Sequence, residues 1–421
     1  MNSNSTGNNP APMLKRLRVL ELATWVAAPT IGAILAEYGA DVIHIEDPER
    51  PDPHRAVTTQ TWGKSTTAGQ VNSSWQMHNR NKRSLALSLN DEEGRAIFRP
   101  LLEKADIFIT NLLPNSQQRL GIDYAALGAT YPRLIHVGIS GWGSAGPASQ
   151  NRGYDFTVFW AASGIMSLVG DPDGEPALVR PGMGDRTAGL AATAALGLAL
   201  YAREHTGKGQ AIEVSLLHTG MFTVASDMQR AMMYGEPGPT YSRRNAPAPL
   251  TNCYRTRDGR WLVVLVADKD WPAFCTAIDT PQLAADTRFD TSDKRTASNT
   301  ELIRILDEAC AKIDRAELER RLIAARITHA PALLPQEAAR HPQSVANHFF
   351  LDARHDTHGP YPLLSFPLRF SSENPQFRHQ APGHGEQTRE ILQELGYAED
   401  DIRRLDEKGV IRAPKTHGGQ L

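Results

Sequence analysis

Asp185 lies in the run Arg180-Pro181-Gly182-Met183-Gly184-Asp185-Arg186-Thr187-Ala188-Gly189, where an extended segment gives way to an alanine-rich stretch of helical spacing over 187–204. A carboxylate that must receive a bulky electrophile needs close backbone approach and freedom from neighbouring side chains, and adjacent glycines supply both. The same residue has a structural reading, because Asp is a favoured N-cap and would cap a helix over 187–204. Competing chemistries find less support. Cys253, Cys275 and Cys310 lie far apart without metal-type spacing, which argues against a zinc site or a disulfide framework and for a reducing compartment. No Gly-x-Gly-x-x-Gly follows the first predicted strand. Ala23-Thr24-Trp25-Val26-Ala27-Ala28-Pro29 stands there instead, so a dinucleotide site is poorly supported.

The elements that must position Asp185 read as a parallel α/β sheet. Leu17 to Leu22 has the pattern of a buried strand, Pro29 to Tyr38 is helical with Gly39 behind it, and Asp41 to Glu46 is a second strand. Strand, helix, strand recurs over Ser84 to Leu89, Asp91 to Lys104 and Ile107 to Thr110, then Leu134 to Ile139 and Ile212 to Val214. A further helix is expected near 217–233. Asp258-Gly259 between two β-rich runs predicts a hairpin, followed by helices near 299–312 and 315–327. The expected organisation is a disordered tail over 1–12, a large Rossmann-like domain over 13–233 and a Gly, Pro, Ser and Arg linker over 234–250. A small α/β domain over 251–330 and a return connection over 331–421 complete it.

Composition sets the outer bounds. A chain of 421 residues, 41% of them hydrophobic, can bury a large core in two or three folding units. Lys+Arg 45 against Asp+Glu 47 provides no basic field for nucleic acid. The polar first twelve residues lack the pattern of a signal peptide, and no apolar run approaches the ~20 residues that span a bilayer. A cytoplasmic protein without nucleic-acid or membrane partners is expected.

Several segments taken in order resemble the class III CoA-transferases, the family of formyl-CoA transferase and carnitine CoA-transferase. They include Val19-Leu20-Glu21-Leu22 with Ala28-Pro29, Tyr38-Gly39-Ala40-Asp41-Val42-Ile43, and Asn79-Arg80-Asn81-Lys82-Arg83-Ser84. Arg119-Leu120-Gly121, Ile139-Ser140-Gly141-Trp142-Gly143, Arg152-Gly153-Tyr154-Asp155 and Gly184-Asp185 continue the match, as do Thr206-Gly207-Lys208-Gly209-Gln210 and Glu394-Leu395-Gly396-Tyr397. The resemblance runs from about Leu17 to Ile411 and implies an interlocked homodimer that moves coenzyme A from an acyl-CoA donor to a carboxylic acid acceptor, without a metal. It implies that Asp185 attacks the thioester, passing through an acyl-aspartyl anhydride and an aspartyl-CoA thioester. An anhydride is as activated as a thioester, so the acyl energy is conserved if water is kept out. Backbone N–H groups of the glycine-flanked turn would stabilise the oxyanion.

The resemblance also assigns supporting residues. Tyr154 stands where the related α-methylacyl-CoA racemase has a histidine. A tyrosine of ordinary pKa, ~10, is a poor base for α-proton exchange but a good donor to an acyl carbonyl. Transfer is therefore favoured, with racemisation as the alternative should His136 or another histidine reach the α-carbon, and a CoA-binding protein without catalysis as a third reading. Coenzyme A is expected against Val26, Ala27, Asn79, Lys82, Arg83, Asn111, Leu113, Arg119 and Arg152, with the cations on phosphates. Asp47 stands where formyl-CoA transferase has a coenzyme-binding arginine. Arg243-Arg244-Asn245-Ala246-Pro247-Ala248-Pro249 replaces its glycine run. These departures argue against formate or oxalate as substrate. Trp25, Trp62, Trp75 and Trp160 are candidates for an acyl pocket or for core, and Arg186 for a second substrate carboxylate or a neighbouring Glu.

Overall fold

The computed structural model describes residues 12–57, 71–172, 174–236 and 238–414. Residues 1–11 of the expected tail and Trp62 lie outside them. The described residues form twelve strands: β1 Arg18–Leu22, β2 Asp41–Glu46, β3 Arg83–Leu87, β4 Ile107–Thr110, β5 Ile135–Ser140, β6 Ala211–Ser215, β7 Thr251–Arg255, β8 Trp261–Leu265, β9 Thr328–Pro331, β10 Phe350–His355, β11 Gly359–Leu364 and β12 Ile411–Arg412. The chain divides into two compact units, one of 1–165, 179–228 and 347–421, the other of 166–178 and 229–346.

The larger unit is a mixed α/β structure on a seven-stranded sheet of order β12-β3-β2-β1-β4-β5-β6, parallel except for β12. Its strands are apolar runs because helices cover both faces, and successive side chains point to opposite sides. Thus Leu20, Ile43 and Phe108 join one buried cluster with Ile97, Phe98 and Leu101, while Val19, Val42 and Ile107 join another with Ile31 and Leu196. From β1 the chain crosses through helix Ala27–Glu37 to β2 on one side, whereas β4 pairs β1 on the other side. The carboxyl ends of β1 and β4 therefore flank a topological switch point, where open parallel sheets form a crevice.

The smaller unit holds the antiparallel sheet β7-β8-β9. Tyr254, Trp271, Phe274, Phe289, Leu302 and Leu306 fill its core. The expected hairpin around Asp258-Gly259 is the β7–β8 pair. This unit takes in 229–250 and continues to residue 346, so it exceeds the expected 251–330 and the expected linker packs as part of it. The stretch expected only as connection contains the β10–β11 hairpin within the larger unit. The helix expected over 217–233 is two, Leu216–Thr223 and Ala225–Tyr234. Among the described residues no helix is long and apolar enough to cross a membrane.

Candidate active site

A cleft of about 950 Å³ opens at the switch point. Its walls are the turn Thr24 to Ala27 after β1, Asn111 to Leu113 after β4, Ile139 to Gly141 after β5, the Arg152 to Phe156 segment, and Arg180 to Gly182 with Asp185 and Arg186.

Asp185 does not cap its helix. The helix spans Met183–Thr206 and places Asp185 in the first turn, four residues earlier than its apolar periodicity suggests. Gly182 makes this start possible with φ 87° at the N-cap position, a left-handed conformation natural to glycine. The capping carboxylate comes from Asp155, which accepts the N–H of Gly182 at 2.8 Å, of Gly184 at 2.6 Å and of Asp185 at 3.2 Å. Gly184 is required by this approach, since a Cβ there would sit 2.0 Å from the Phe159 ring and 2.5 Å from Asp155 Oδ1. Three N–H groups of the glycine-flanked turn are thus engaged by Asp155 and face that carboxylate rather than an oxyanion. Asp155 was invisible as a site residue in sequence, because its partners lie 27–30 positions downstream.

The Asp185 side chain is left without a hydrogen-bond partner among the described residues. Burial pushes its carboxyl up to about 7, the like charge of Asp155 adds to this, and Arg186 opposes it. A largely desolvated carboxylate without a hydrogen-bond partner is a stronger nucleophile than a fully solvated one.

Tyr154 immediately precedes the capping aspartate and is 48% exposed. Its ring meets Trp25 edge to face at a centroid distance of 6.2 Å. Trp25 is held at φ 68°, a costly conformation for a bulky residue, by two bonds from its N–H to the Asp52 carboxylate at 3.0 and 3.1 Å. Asn111 clamps the preceding residue, accepting the N–H of Thr24 at 3.0 Å and donating to its carbonyl at 2.7 Å. Asn111 therefore shapes the Val26 and Ala27 turn rather than offering a free amide. His54 also lines the cleft. Burial, together with the cations Lys82 and Arg186, pushes it down to about 4, so its ring is neutral.

The expected coenzyme contacts divide into two groups. Val26, Ala27, Asn111, Leu113 and Arg152 line the cleft. Asn79, Lys82, Arg83 and Arg119 do not. Lys82 is wholly buried and donates to Glu21 Oε1 at 2.7 Å, to the Pro29 carbonyl at 2.9 Å and to Asn79 Oδ1 at 3.1 Å, which engages all three of its donors. Burial opposes ionisation of Glu21, yet Lys82 and then His44 outweigh it and hold the carboxyl below its ordinary value. Asn79 is buried with it. Arg83 is bound to Asp41, Glu390 and Glu394 and borders a separate cavity with Arg354 and Arg378. Arg119 donates to Asn90 Oδ1 at 3.0 Å outside the cleft.

Other sequence expectations resolve similarly. Asp47 turns into its own loop, accepting the N–H groups of Glu49 and Arg50 at 3.0 Å each, and does not line the cleft. His136 is buried on β5 with Nε2 at 3.1 Å from the Ile122 carbonyl, away from the cleft. Trp75 lies in the core beneath Arg55, whose guanidinium carbon is 4.0 Å from the ring centre. Trp160 packs beside Phe159. Of the four tryptophans, Trp25 is the one described in the cleft wall. Within the smaller unit, the 243–249 loop is pinned by the Arg243–Asp307 ion pair and by Asn299, which donates to the Asn245 and Ala246 carbonyls. Among the described residues no group of three or more His, Cys, Asp or Glu is placed to hold a metal ion.

Comparison with known proteins bears on this geometry. The profile of CoA-transferase family III matches residues 14–388. The chain is 31% identical over 402 residues to the (R)-2-hydroxy-4-methylpentanoate CoA-transferase of Clostridioides difficile, covering 95% of this chain and 100% of that protein. It is 30% identical to the cinnamoyl-CoA:phenyllactate CoA-transferase of Clostridium sporogenes, covering 97% and 99%. A crystal structure of a CAIB/BAIF family protein from Brucella suis superposes with a TM-score of 0.80 at 30% identity, covering 92% of this chain and all of that one. A family match over residues 14–388, relatives that transfer CoA and a cleft at the switch point of the same fold agree: the chain belongs to CoA-transferase family III and is a CoA-transferase.

Proposed function

We propose that the protein transfers coenzyme A from an acyl-CoA to a carboxylic acid with Asp185 as nucleophile. The observation that carries this is the Asp185 carboxylate, unpaired in the cleft and held on a helix start that Asp155 caps. A carboxylate oxygen attacks the thioester carbonyl. The C–O bond forms, the C–S bond breaks, and CoA leaves as thiolate from an acyl-aspartyl anhydride. The thiolate attacks the aspartyl carbonyl, forming the aspartyl-CoA thioester and releasing the first acid. An incoming carboxylate reverses both steps, so no net proton, water or metal is required.

Tyr154, exposed beside the cleft, donates its hydroxyl to the acyl carbonyl oxygen. The Val26 and Ala27 turn and Leu113 lie beside the pantetheine, and Arg152 meets a phosphate at the rim. Two relatives are named for transfer to (R)-2-hydroxy-4-methylpentanoate and to phenyllactate, and others for glutarate and L-malate. The wall of Trp25, Tyr154 and neutral His54 supports an acid with a bulky apolar substituent for this chain as well. A homodimer is part of the reading, supported by Leu198, Tyr201 and Phe222, which are large apolar side chains exposed on the larger unit. A cytoplasmic location is supported by three free cysteines.

Incubation with succinyl-CoA or cinnamoyl-CoA in the presence of hydroxylamine should convert Asp185 to its hydroxamate, located by peptide mass. Asp185→Ala should abolish both adduct and turnover while retaining CoA binding. Turnover that survives in this variant would refute the nucleophile. Racemisation is the second reading, favoured by His54 in the cleft wall with a buried Nδ1 that lacks a partner among the described residues. Deuterium wash-in at the α-carbon of a branched acyl-CoA, without an acceptor acid, would establish it instead.

A further inference from the structure

Arg186 follows the nucleophile and lines the same cleft. Its Nη1 donates to the Gly182 carbonyl at 2.9 Å, and it forms no ion pair among the described residues. A guanidinium has five donors, so one backbone acceptor leaves most of its capacity unused. None of its nitrogens is among the buried side-chain atoms without a partner, so the remaining donors are open to solvent and to a ligand. Asp185 and Asp155 both influence it electrostatically without bonding it. Most other cleft arginines differ. Arg55 is engaged by Glu46 and the Pro382 carbonyl, and Arg152 and Arg180 are exposed at the rim.

We infer that Arg186 is the anchor for the carboxylate of the acceptor acid, and that it becomes available to that acid when Asp185 is acylated. The inference rests on the proposed nucleophilic role of Asp185. With Asp185 ionised, the group Asp155, Asp185 and Arg186 carries one net negative charge, and a second anion entering beside it is repelled. Conversion of Asp185 to its CoA thioester removes that charge and leaves Asp155 and Arg186 balanced. An acid then enters against Arg186, which binds a planar carboxylate through two parallel N–H bonds. One acid oxygen attacks the aspartyl carbonyl, the C–O bond forms, and the C–S bond releases CoA thiolate. The thiolate next attacks the acceptor's acyl carbon, the anhydride C–O bond breaks, and the electron pair returns to Asp185 as carboxylate. The restored charge then disfavours rebinding of free acid.

Asp185→Asn is a neutral stand-in for the acylated state and allows the test without turnover. Calorimetric titration with 3-phenylpropanoate and with glutarate should show tighter binding to Asp185→Asn than to the unmodified enzyme at pH 8. The double variant Asp185→Asn with Arg186→Gln should bind about ten- to hundredfold more weakly than Asp185→Asn, and Arg186→Lys should recover part of the loss. Melting curves confirm that each variant is folded. Equal affinity of the single and double variants, or no saturable binding of either acid to Asp185→Asn, overturns the inference. The hydroxylamine trap separates this from the reaction itself. An Asp185 hydroxamate in Arg186→Gln with unaltered acid binding sinks Arg186 alone, whereas no hydroxamate in the unmodified enzyme sinks the nucleophile and leaves the titrations to decide Arg186.

Discussion

Asp155 Oδ1 accepts the backbone N–H of Asp185 at 3.2 Å, so one carboxylate fixes the main chain of another whose charge it repels. Asp185 is pushed up to about 7 by burial and then by Asp155. If Asp185 is the nucleophile, as proposed, the acid limb of the activity profile follows its ionisation and should therefore lie near that value. Asp155→Asn keeps an oxygen acceptor but removes the repelling charge, so the limb should move to lower pH. The amide also places N–H groups against N–H donors, at a cost of about 1.5–3 kcal/mol of stability for the charge-assisted bonds lost. A kcat/KM profile and urea unfolding measure the two effects. A limb that stays in place would show that the charge of Asp155 does not act on Asp185.

The raised pKa of Asp185 has a consequence for stability. Below its ordinary value of 3.8 the carboxyl is protonated whether the chain is folded or not. Between that value and about 7 the folded protein retains a proton that the unfolded chain has released, so this group's contribution falls as pH rises across the window. Above about 7 the penalty of a buried charge is fully present. Asp185→Asn should therefore raise the melting temperature at pH 8 by more than at pH 5. An equal shift at both values would rule out the buried-charge account.

How far the sequence revealed the site depends on the range of the interactions. The strands around Leu20, Ile43 and Ile107 were legible because apolar runs between turn signals are local, and the β7–β8 hairpin announced itself through Asp258-Gly259. Asp185 stood out through its glycines. The reason for Gly184 did not, because the carboxylate and ring that approach it belong to Asp155 and Phe159. The β11 strand was hidden by Pro360 and Pro362, which a two-stranded ribbon tolerates because one edge needs no donors. Lys82 and Arg83 looked alike as cations for phosphate. Only the fold shows that Glu21 buries one and that Asp41 and two glutamates hold the other on another face.

Lys82→Met separates a buried pair from a ligand contact. Removing the ammonium leaves Glu21 in the core with His44 as its remaining partner, and breaking a buried pair in this way costs about 3–5 kcal/mol. Unfolding in urea should show that loss. At a temperature where the variant remains folded, its affinity for CoA should match that of the unmodified enzyme, because no Lys82 donor is left for a phosphate. A selective loss of CoA affinity without a loss of stability would return Lys82 to the coenzyme site.

Arg152 gives the opposite signature. It is exposed at the rim of the cleft with no ion pair among the described residues, so its truncation should leave urea unfolding within about 0.5 kcal/mol of the unmodified enzyme. In the proposed role, a contact between Arg152 and a phosphate is an exposed charge pair worth about 0.2–1 kcal/mol, and its loss would raise the Kd for CoA roughly 1.5- to fivefold. Because the Debye length shrinks from about 10 Å at 0.1 M salt to about 3 Å at 1 M, the difference between Arg152→Ala and the unmodified enzyme should vanish in high salt. Dephospho-CoA identifies which phosphate is met. If Arg152 meets the 3′-phosphate, the variant and the unmodified enzyme bind dephospho-CoA equally well, and if it meets the pyrophosphate the defect persists. Unchanged CoA affinity at low salt would remove Arg152 from the coenzyme site and leave Arg180 as the exposed arginine of the cleft available to it.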